Sequence, residues 1–241
     1  MTVLLETEGL CKSFGGIKVI DDLNVKLNEG EALGIVGPNG AGKTTLFNLI
    51  TGVYRPDEGR VTFMDKDITH LKREAICRAG IGRTYQIPKP FGDMSVFENV
   101  LVCAAYARGM SERASYERCV ETLHITHLDD KANTRAGALP LLDRKRLELA
   151  RALAGDPKVL LLDEIAGGLT ENEVEMVITT VKNLLAHGIS IIWIEHIVRA
   201  LLAVVDRIVA ISFGRNLIEG DPNEVMCSEE VQACYMGGTP I

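Results

Sequence analysis

Continuous apolar runs alternate along this chain with runs of helical period. Residues 33–36 (Leu-Gly-Ile-Val), 159–162 (Val-Leu-Leu-Leu) and 190–194 (Ser-Ile-Ile-Trp-Ile) are too short for helices and apolar at almost every position. That is the pattern of strands covered on both faces. Other segments space their apolar residues three or four apart: Leu46, Phe47, Leu49 and Ile50 in a helix from Lys43 to near Gly52, and Leu147, Ala150, Leu153 and Ala154 in a helix over 141–154. A further helix is predicted over 171–185, leading through Gly188 into the third apolar run. Strands alternating with helices predict an α/β fold with a parallel sheet.

Two regions depart from that alternation. Residues 3–36 read as short strands around turns at Gly15-Gly16 and Asn28-Glu29-Gly30, followed by a short strand at 60–64 after an Asp57-Glu58-Gly59 turn. They predict an N-terminal antiparallel β subdomain. Residues 66–128 are richer in polar residues, with helical spacing clearest at 98–108 and 115–123, and predict a helical insertion into the core. One domain results, its core formed by 1–65 and 155–241 and the inserted part by about 66–154. A hairpin about Gly214-Arg215 and one or two short helices after Asp221 complete it.

Composition narrows the function. The chain has 241 residues, 46% of them hydrophobic, so it can bury a large core. A formal charge of -7 speaks against a general nucleic-acid binder, which presents a basic field to phosphates. Six cysteines without any Cys-x-x-Cys pair predict reduced, mostly packed thiols and a cytosolic protein. The greasiest stretch, 189–211, is interrupted by Glu195, His196, Arg199, Asp206 and Arg207, so any link to a membrane has to pass through a partner.

The chemistry concentrates where the first apolar run stops. Gly37, Pro38, Asn39, Gly40, Ala41 and Gly42 form a loop, and Lys43, Thr44 and Thr45 open the helix after it. Glycines let successive backbone N–H groups converge on phosphate oxygens, and the helix N-terminus adds partial positive charge. In this strand-loop-helix setting Lys43 is placed to reach the β- and γ-phosphates of a purine nucleoside triphosphate, and the Thr44 hydroxyl to ligate Mg²⁺. The second apolar run ends in Asp163 and Glu164, and the third in Glu195 and His196. Strand ends of open α/β sheets are where ligands bind, so Asp163, Glu164 and His196 belong near the same nucleotide. Phe14 reads either as a half-buried strand aromatic or as a flat face for an adenine ring.

Over nearly its whole length this motif order resembles the nucleotide-binding subunit of an ATP-binding cassette (ABC) transporter. Residues 37–44 match the Walker A motif, Gln86 in Arg83-Thr84-Tyr85-Gln86 the Q-loop, 159–163 Walker B, Glu164 its catalytic acid and His196 the switch histidine. Phe14 falls where the family carries its adenine-stacking aromatic. Phe14-Gly15-Gly16, Ile87-Pro88-Lys89-Pro90-Phe91 and Cys234-Tyr235-Met236-Gly237 look most like importers of branched-chain amino acids.

The resemblance implies ATP and Mg²⁺ as cofactors, with Thr44, Gln86 and Asp163 at the metal, Glu164 polarising the attacking water, and Gln86 and His196 sensing the γ-phosphate. It also implies integral-membrane permease subunits, a second cassette closing over two ATPs, an extracellular solute-binding protein, and a position on the inner face of the membrane. Phe91, Met94, Val96 and Phe97, just after the Q-loop, are the expected permease contact.

Several residues depart from the family pattern. Its Leu-Ser-Gly-Gly-Gln signature is replaced by Leu139-Pro140-Leu141-Leu142-Asp143. Pro140 lacks the serine hydroxyl, Leu142 adds bulk where glycine allows close approach, and Asp143 brings negative charge to a helix N-terminus. Ile165 stands in place of a proline and Thr170 in place of a D-loop aspartate or asparagine. The expected consequence is low activity of the chain alone, and a heterodimer with a cassette whose signature is intact.

Overall fold

The computed structural model describes residues 2–108 and 111–235. Along the chain lie strands β1 (Val3–Phe14), β2 (Ile17–Asn28) and β3 (Ala32–Val36), helix α1 (Lys43–Ile50), strands β4 (Glu58–Phe63) and β5 (Lys66–Asp67), helix α2 (Arg73–Ala79) and strand β6 (Ile81–Arg83). Helices α3 (Val96–Arg108), α4 (Glu112–Ile125) and α5 (Leu141–Leu153) follow, then β7 (Val159–Asp163), α6 (Glu171–Ala186), β8 (Ser190–Ile194) and α7 (Val198–Leu202). Strands β9 (Arg207–Ser212) and β10 (Arg215–Gly220) and helices α8 (Pro222–Cys227) and α9 (Glu229–Tyr235) end the described chain.

The strands form a four-stranded antiparallel sheet, β2-β1-β4-β5, and a six-stranded sheet, β10-β9-β3-β8-β7-β6, parallel except at β10. The expected short N-terminal strands are in fact two strands of 12 residues each. Register shifts interrupt their pairing, for instance between Thr7 and Leu10, where the most deeply buried positions of β1 change from odd-numbered Leu5 and Thr7 to even-numbered Leu10. The broken alternation that reads as separate strands is therefore one bulged hairpin. The strand expected at 60–64 begins earlier, because Cys11 pairs with Glu58 and Glu8 with Arg60.

Core packing explains the apolar runs. Alternate residues of one strand enter opposite layers: Val159 and Leu161 join the core shared with α1 and the antiparallel sheet, whereas Leu160 and Leu162 join the core beneath α6 and α7. Each such fully buried side chain contributes roughly 1.5–3 kcal/mol, so both layers select apolar residues. A third cluster holds the helical part together through Val96, Val100, Cys119, Leu123, Leu147 and Ala150. Helix α5 links the parts, giving Leu147 and Ala150 to that cluster and Leu149 and Leu153 to the main core. The interval 66–154 is not wholly helical, since β6 pairs Ile81, Gly82 and Arg83 with Val159, Leu160 and Leu161 as the edge of the parallel sheet. Three residues are too few to show a period, and their partner lies far along the chain.

Candidate functional site: a phosphate-loop cavity

Parallel pairing brings the carboxyl ends of β3, β8, β7 and β6 side by side, with Ile35 opposite Ile194 and Ile194 opposite Asp163. Each strand delivers one piece of the site there. The loop after β3 makes a cavity of about 510 Å³ whose lining includes Asn39, Gly40, Ala41, Gly42, Lys43, Thr44 and Thr45, together with Gln86, Glu164 and His196.

The loop conformation depends on glycine at its two ends. A Cβ on Gly37 (φ +153°) would lie 2.1 Å from the Ile211 carbonyl oxygen, and one on Gly42 (φ +103°) 2.6 Å from Ile20 Cδ1. Gly42 caps α1 with no side-chain hydrogen bond, and the helix carries no acid in its first turn. Helix geometry leaves the N–H groups of Lys43, Thr44 and Thr45 without intrahelical acceptors, an anion site. The Lys43 ammonium, 6% exposed, donates to the carbonyls of Gly37 at 2.7 Å and Pro38 at 3.0 Å. Burial pushes its pKa down, against the pull of Glu164 and Asp163.

At the end of β7, Asp163 is buried and accepts a hydrogen bond from Arg83 Nη2 at 3.1 Å. Burial raises the Asp163 pKa, and the Arg83 guanidinium works against that rise. Glu164 has a left-handed backbone, φ +50°. Its side chain turns into the cavity, with Oε1 2.7 Å from His196 Nε2 and Oε2 accepting from Gln86 Nε2. The three residues expected to act on the γ-phosphate thus form one cluster on the rim of the phosphate loop.

Oxygen donors suited to Mg²⁺ are at hand. Thr44 lines the cavity, Asp163 has one carboxylate oxygen bound by Arg83, and Gln86 uses its nitrogen on Glu164, which leaves its amide oxygen for another partner. Phe14 is outside the cavity lining; its ring, 38% exposed, meets Tyr54 edge-on at 5.0 Å.

Some departures change meaning in three dimensions. Asp143 is 2% exposed and turned inward, paired with Lys131 and, at 3.3 Å, with Arg146. Its charge is neutralised within the chain, correcting the expectation that it confronts an incoming anion. Leu142 packs half-buried against the main core, and Leu141 is the exposed residue at the tip of α5. The Thr170 backbone N–H and hydroxyl both donate to Glu173, each at 2.8 Å, closing the first turn of α6. Within the expected permease patch Val96 is fully buried, Met94 and Phe97 are half-buried, with the Phe97 ring packed on Tyr116 at 5.2 Å, and Phe91 is exposed. An apolar groove of about 500 Å³ opens nearby between α2, β6, α3 and α5, lined by Ile76, Ile81, Tyr85, Val102, Cys103 and Tyr106 among others.

Sequence reasoning missed several supporting residues. Arg83 touches Asn48 Oδ1 on α1 at 2.7 Å and Thr51 just past its end while holding Asp163, and its guanidinium lies 4.9 Å from the Tyr85 ring centre. Thr84 Oγ1 accepts from the Asp163 N–H at 3.1 Å. The Tyr235 hydroxyl accepts from the Gly37 N–H at 3.0 Å, pinning α9 to the root of the phosphate loop. Met236 and Gly237, the rest of that tail motif, lie outside the described residues.

The model of the ABC transporter family matches residues 20–167. The high-affinity branched-chain amino acid transport ATP-binding protein LivG of Salmonella typhimurium is 34% identical over 253 residues, covering 97% of this chain and 98% of LivG. Its counterpart BraF of Pseudomonas aeruginosa is 33% identical, with coverage of 97% and 98%. LptB, the lipopolysaccharide export system ATP-binding protein of Escherichia coli, is 33% identical with 97% of both chains covered. Among solved structures, the ADP conformation of an ATP-binding cassette of an ABC transporter superposes with TM-score 0.90 at 31% identity, over 98% of this chain and 100% of that one.

Proposed function

The chain belongs to the ABC transporter family, and on that premise we propose that it hydrolyses ATP to drive the uptake of branched-chain or other hydrophobic amino acids. The observation that carries the hydrolytic reading is the convergence of Glu164, Gln86 and His196 on the phosphate-loop cavity. The loop amides and Lys43 hold the phosphates, Lys43 exchanging the Gly37 and Pro38 carbonyls for phosphate oxygens. Thr44, Asp163 and Gln86 hold Mg²⁺, which neutralises charge on the phosphates when bound. Glu164 orients the attacking water and accepts its proton, and His196 and Gln86 fix that carboxylate. Phe14 and Tyr54 offer an aromatic edge for adenine.

Among the described residues no helix is long and apolar enough to cross a membrane. In this reading the chain is cytoplasmic and held to the inner face of the membrane by permease subunits, which dock in the groove beside Tyr85 and Tyr106. An extracellular binding protein delivers the solute, and a second cassette supplies an intact signature. The solute is carried over from the names of LivG and BraF. LptB, at the same identity, gives the competing reading of lipid export.

Calorimetry and phosphate release separate these steps. Glu164→Gln is expected to bind ATP as tightly as wild type and to lose nearly all turnover in the assembled transporter; full turnover would refute the catalytic assignment. Uptake of labelled leucine by vesicles holding the complete system supports import. Retained ATPase with no uptake, and release of lipid instead, would select the export reading.

A further inference from the structure

We propose that Lys145 and Glu195 form a buried brace that fixes the catalytic acid relative to the switch histidine. This rests on the hydrolytic reading above and concerns how that site is held. The Glu195 residue is 2% exposed, and its carboxylate accepts from three backbone N–H groups: Ala166 at 2.9 Å on one oxygen, His196 at 2.9 Å and Ile197 at 3.4 Å on the other. One side chain at the end of β8 thus ties the loop after Glu164 to the loop that carries His196. Lys145, 7% exposed on α5, donates from Nζ to the Glu164 carbonyl oxygen at 2.9 Å.

The Glu164 backbone needs such support. At φ +50° a non-glycine residue is strained, and strain of this kind persists only when the surroundings over-determine it. Both of its backbone polar groups are engaged: its N–H donates to the Ile194 carbonyl at 2.8 Å, and its carbonyl receives Lys145. Burial alone would neutralise both charged side chains, raising the Glu195 pKa and lowering that of Lys145. Each charge draws the other back toward its ionised form, and the backbone N–H groups do the same for Glu195. Neither residue lines the phosphate-loop cavity, so both are positioning residues. Lys145 also sits one turn from the tip of α5, so displacement of that helix transmits directly to the Glu164 backbone.

The test compares Lys145→Met, Lys145→Arg, Glu195→Gln and the Lys145→Met/Glu195→Gln pair with wild type in the assembled transporter. For each single neutral variant ATP affinity should stay within about twofold of wild type, because the phosphate loop is untouched. Turnover at saturating ATP should fall by roughly ten- to a hundredfold, the scale of a misplaced reacting group. Lys145→Arg should recover most of the loss. The double variant should be no slower than the slower single one, because the residues act as a unit. Wild-type turnover in both single variants, or losses that multiply in the pair, would overturn the brace. Should Glu195→Gln melt far below wild type, the Lys145 variants carry the comparison. Glu164→Gln run alongside separates the two readings: an active Glu164→Gln refutes hydrolysis at this site, whereas an inactive one beside unaffected brace variants refutes the brace alone.

Discussion

Two charged residues carry testable consequences at the scale of single side chains. Lys43 keeps a buried ammonium against two carbonyls until phosphate arrives, and burial lowers its pKa. The cost of holding it charged is fully present below that lowered pKa and fades as pH rises through it toward the ordinary lysine range. Lys43→Met should therefore melt higher near neutral pH wherever that cost outweighs the two hydrogen bonds lost, while losing the stabilisation that ATP confers. Scanning calorimetry with and without ATP reads both, and the advantage should shrink at alkaline pH. Arg83 opposes the burial-raised pKa of Asp163. In the proposed role Asp163 must ionise to hold Mg²⁺, so activity should fall as pH drops through its folded pKa. Arg83→Met lets that pKa climb further, so the acid limb of the pH-rate profile should move to higher pH and more Mg²⁺ should be needed. An unmoved limb would separate Arg83 from the metal site.

At the scale of elements, legibility followed the range of the interactions. Strands β3, β7 and β8 read plainly because both faces are covered and every position is apolar, and the phosphate loop because its residues are contiguous. The bulged β1–β2 hairpin and β6 did not, one because its inward face switches and the other because it is three residues long. The roles of Arg83, Lys145 and Glu195 could not be read from the sequence, because their partners lie 80, 19 and 29 residues away along the chain. Local hydrophobicity at 91–97 has two sources, because Val96 and Phe97 also serve the helical core. Tyr106, 76% exposed on α3, lines the groove proposed to receive the permease. Tyr106→Asp should abolish co-purification with the permease and leave the melting temperature unchanged. Phe97→Asp should instead lower the melting temperature, because it unpacks α3 from α4. Assembly retained in Tyr106→Asp would remove the groove from the docking reading.

At the scale of the whole molecule, the proposed pairing with a second cassette makes a testable distinction between the intact cavity and the altered tip of α5, because an asymmetric pair needs only one of the two sites to be strong. Asp143 is bound within its own chain and no longer counts against phosphate binding there. What remains is the missing hydroxyl at Pro140 and the leucines in place of glycines. A hydrogen bond to a charged phosphate is worth about 1.5–3 kcal/mol, so losing the serine alone weakens the second site roughly ten- to a hundredfold. A homodimer suffers this twice; a heterodimer with an intact partner suffers it once and keeps one strong site built on Lys43, Asp163 and Glu164. Asp143 should be left in place in the test, because replacing it strands Lys131 and Arg146 without their carboxylate. In a Glu164→Gln background, which traps ATP, the unmodified chain should sediment as a monomer. The added pair Pro140→Ser and Leu142→Gly should produce ATP-dependent dimers at concentrations at least about tenfold lower. In the assembled transporter that pair should change turnover little, since the partner's signature serves the strong site. Turnover by the unmodified chain alone at the rate of the full assembly would show that the tip of α5 is competent as it stands, and would sink the asymmetric model.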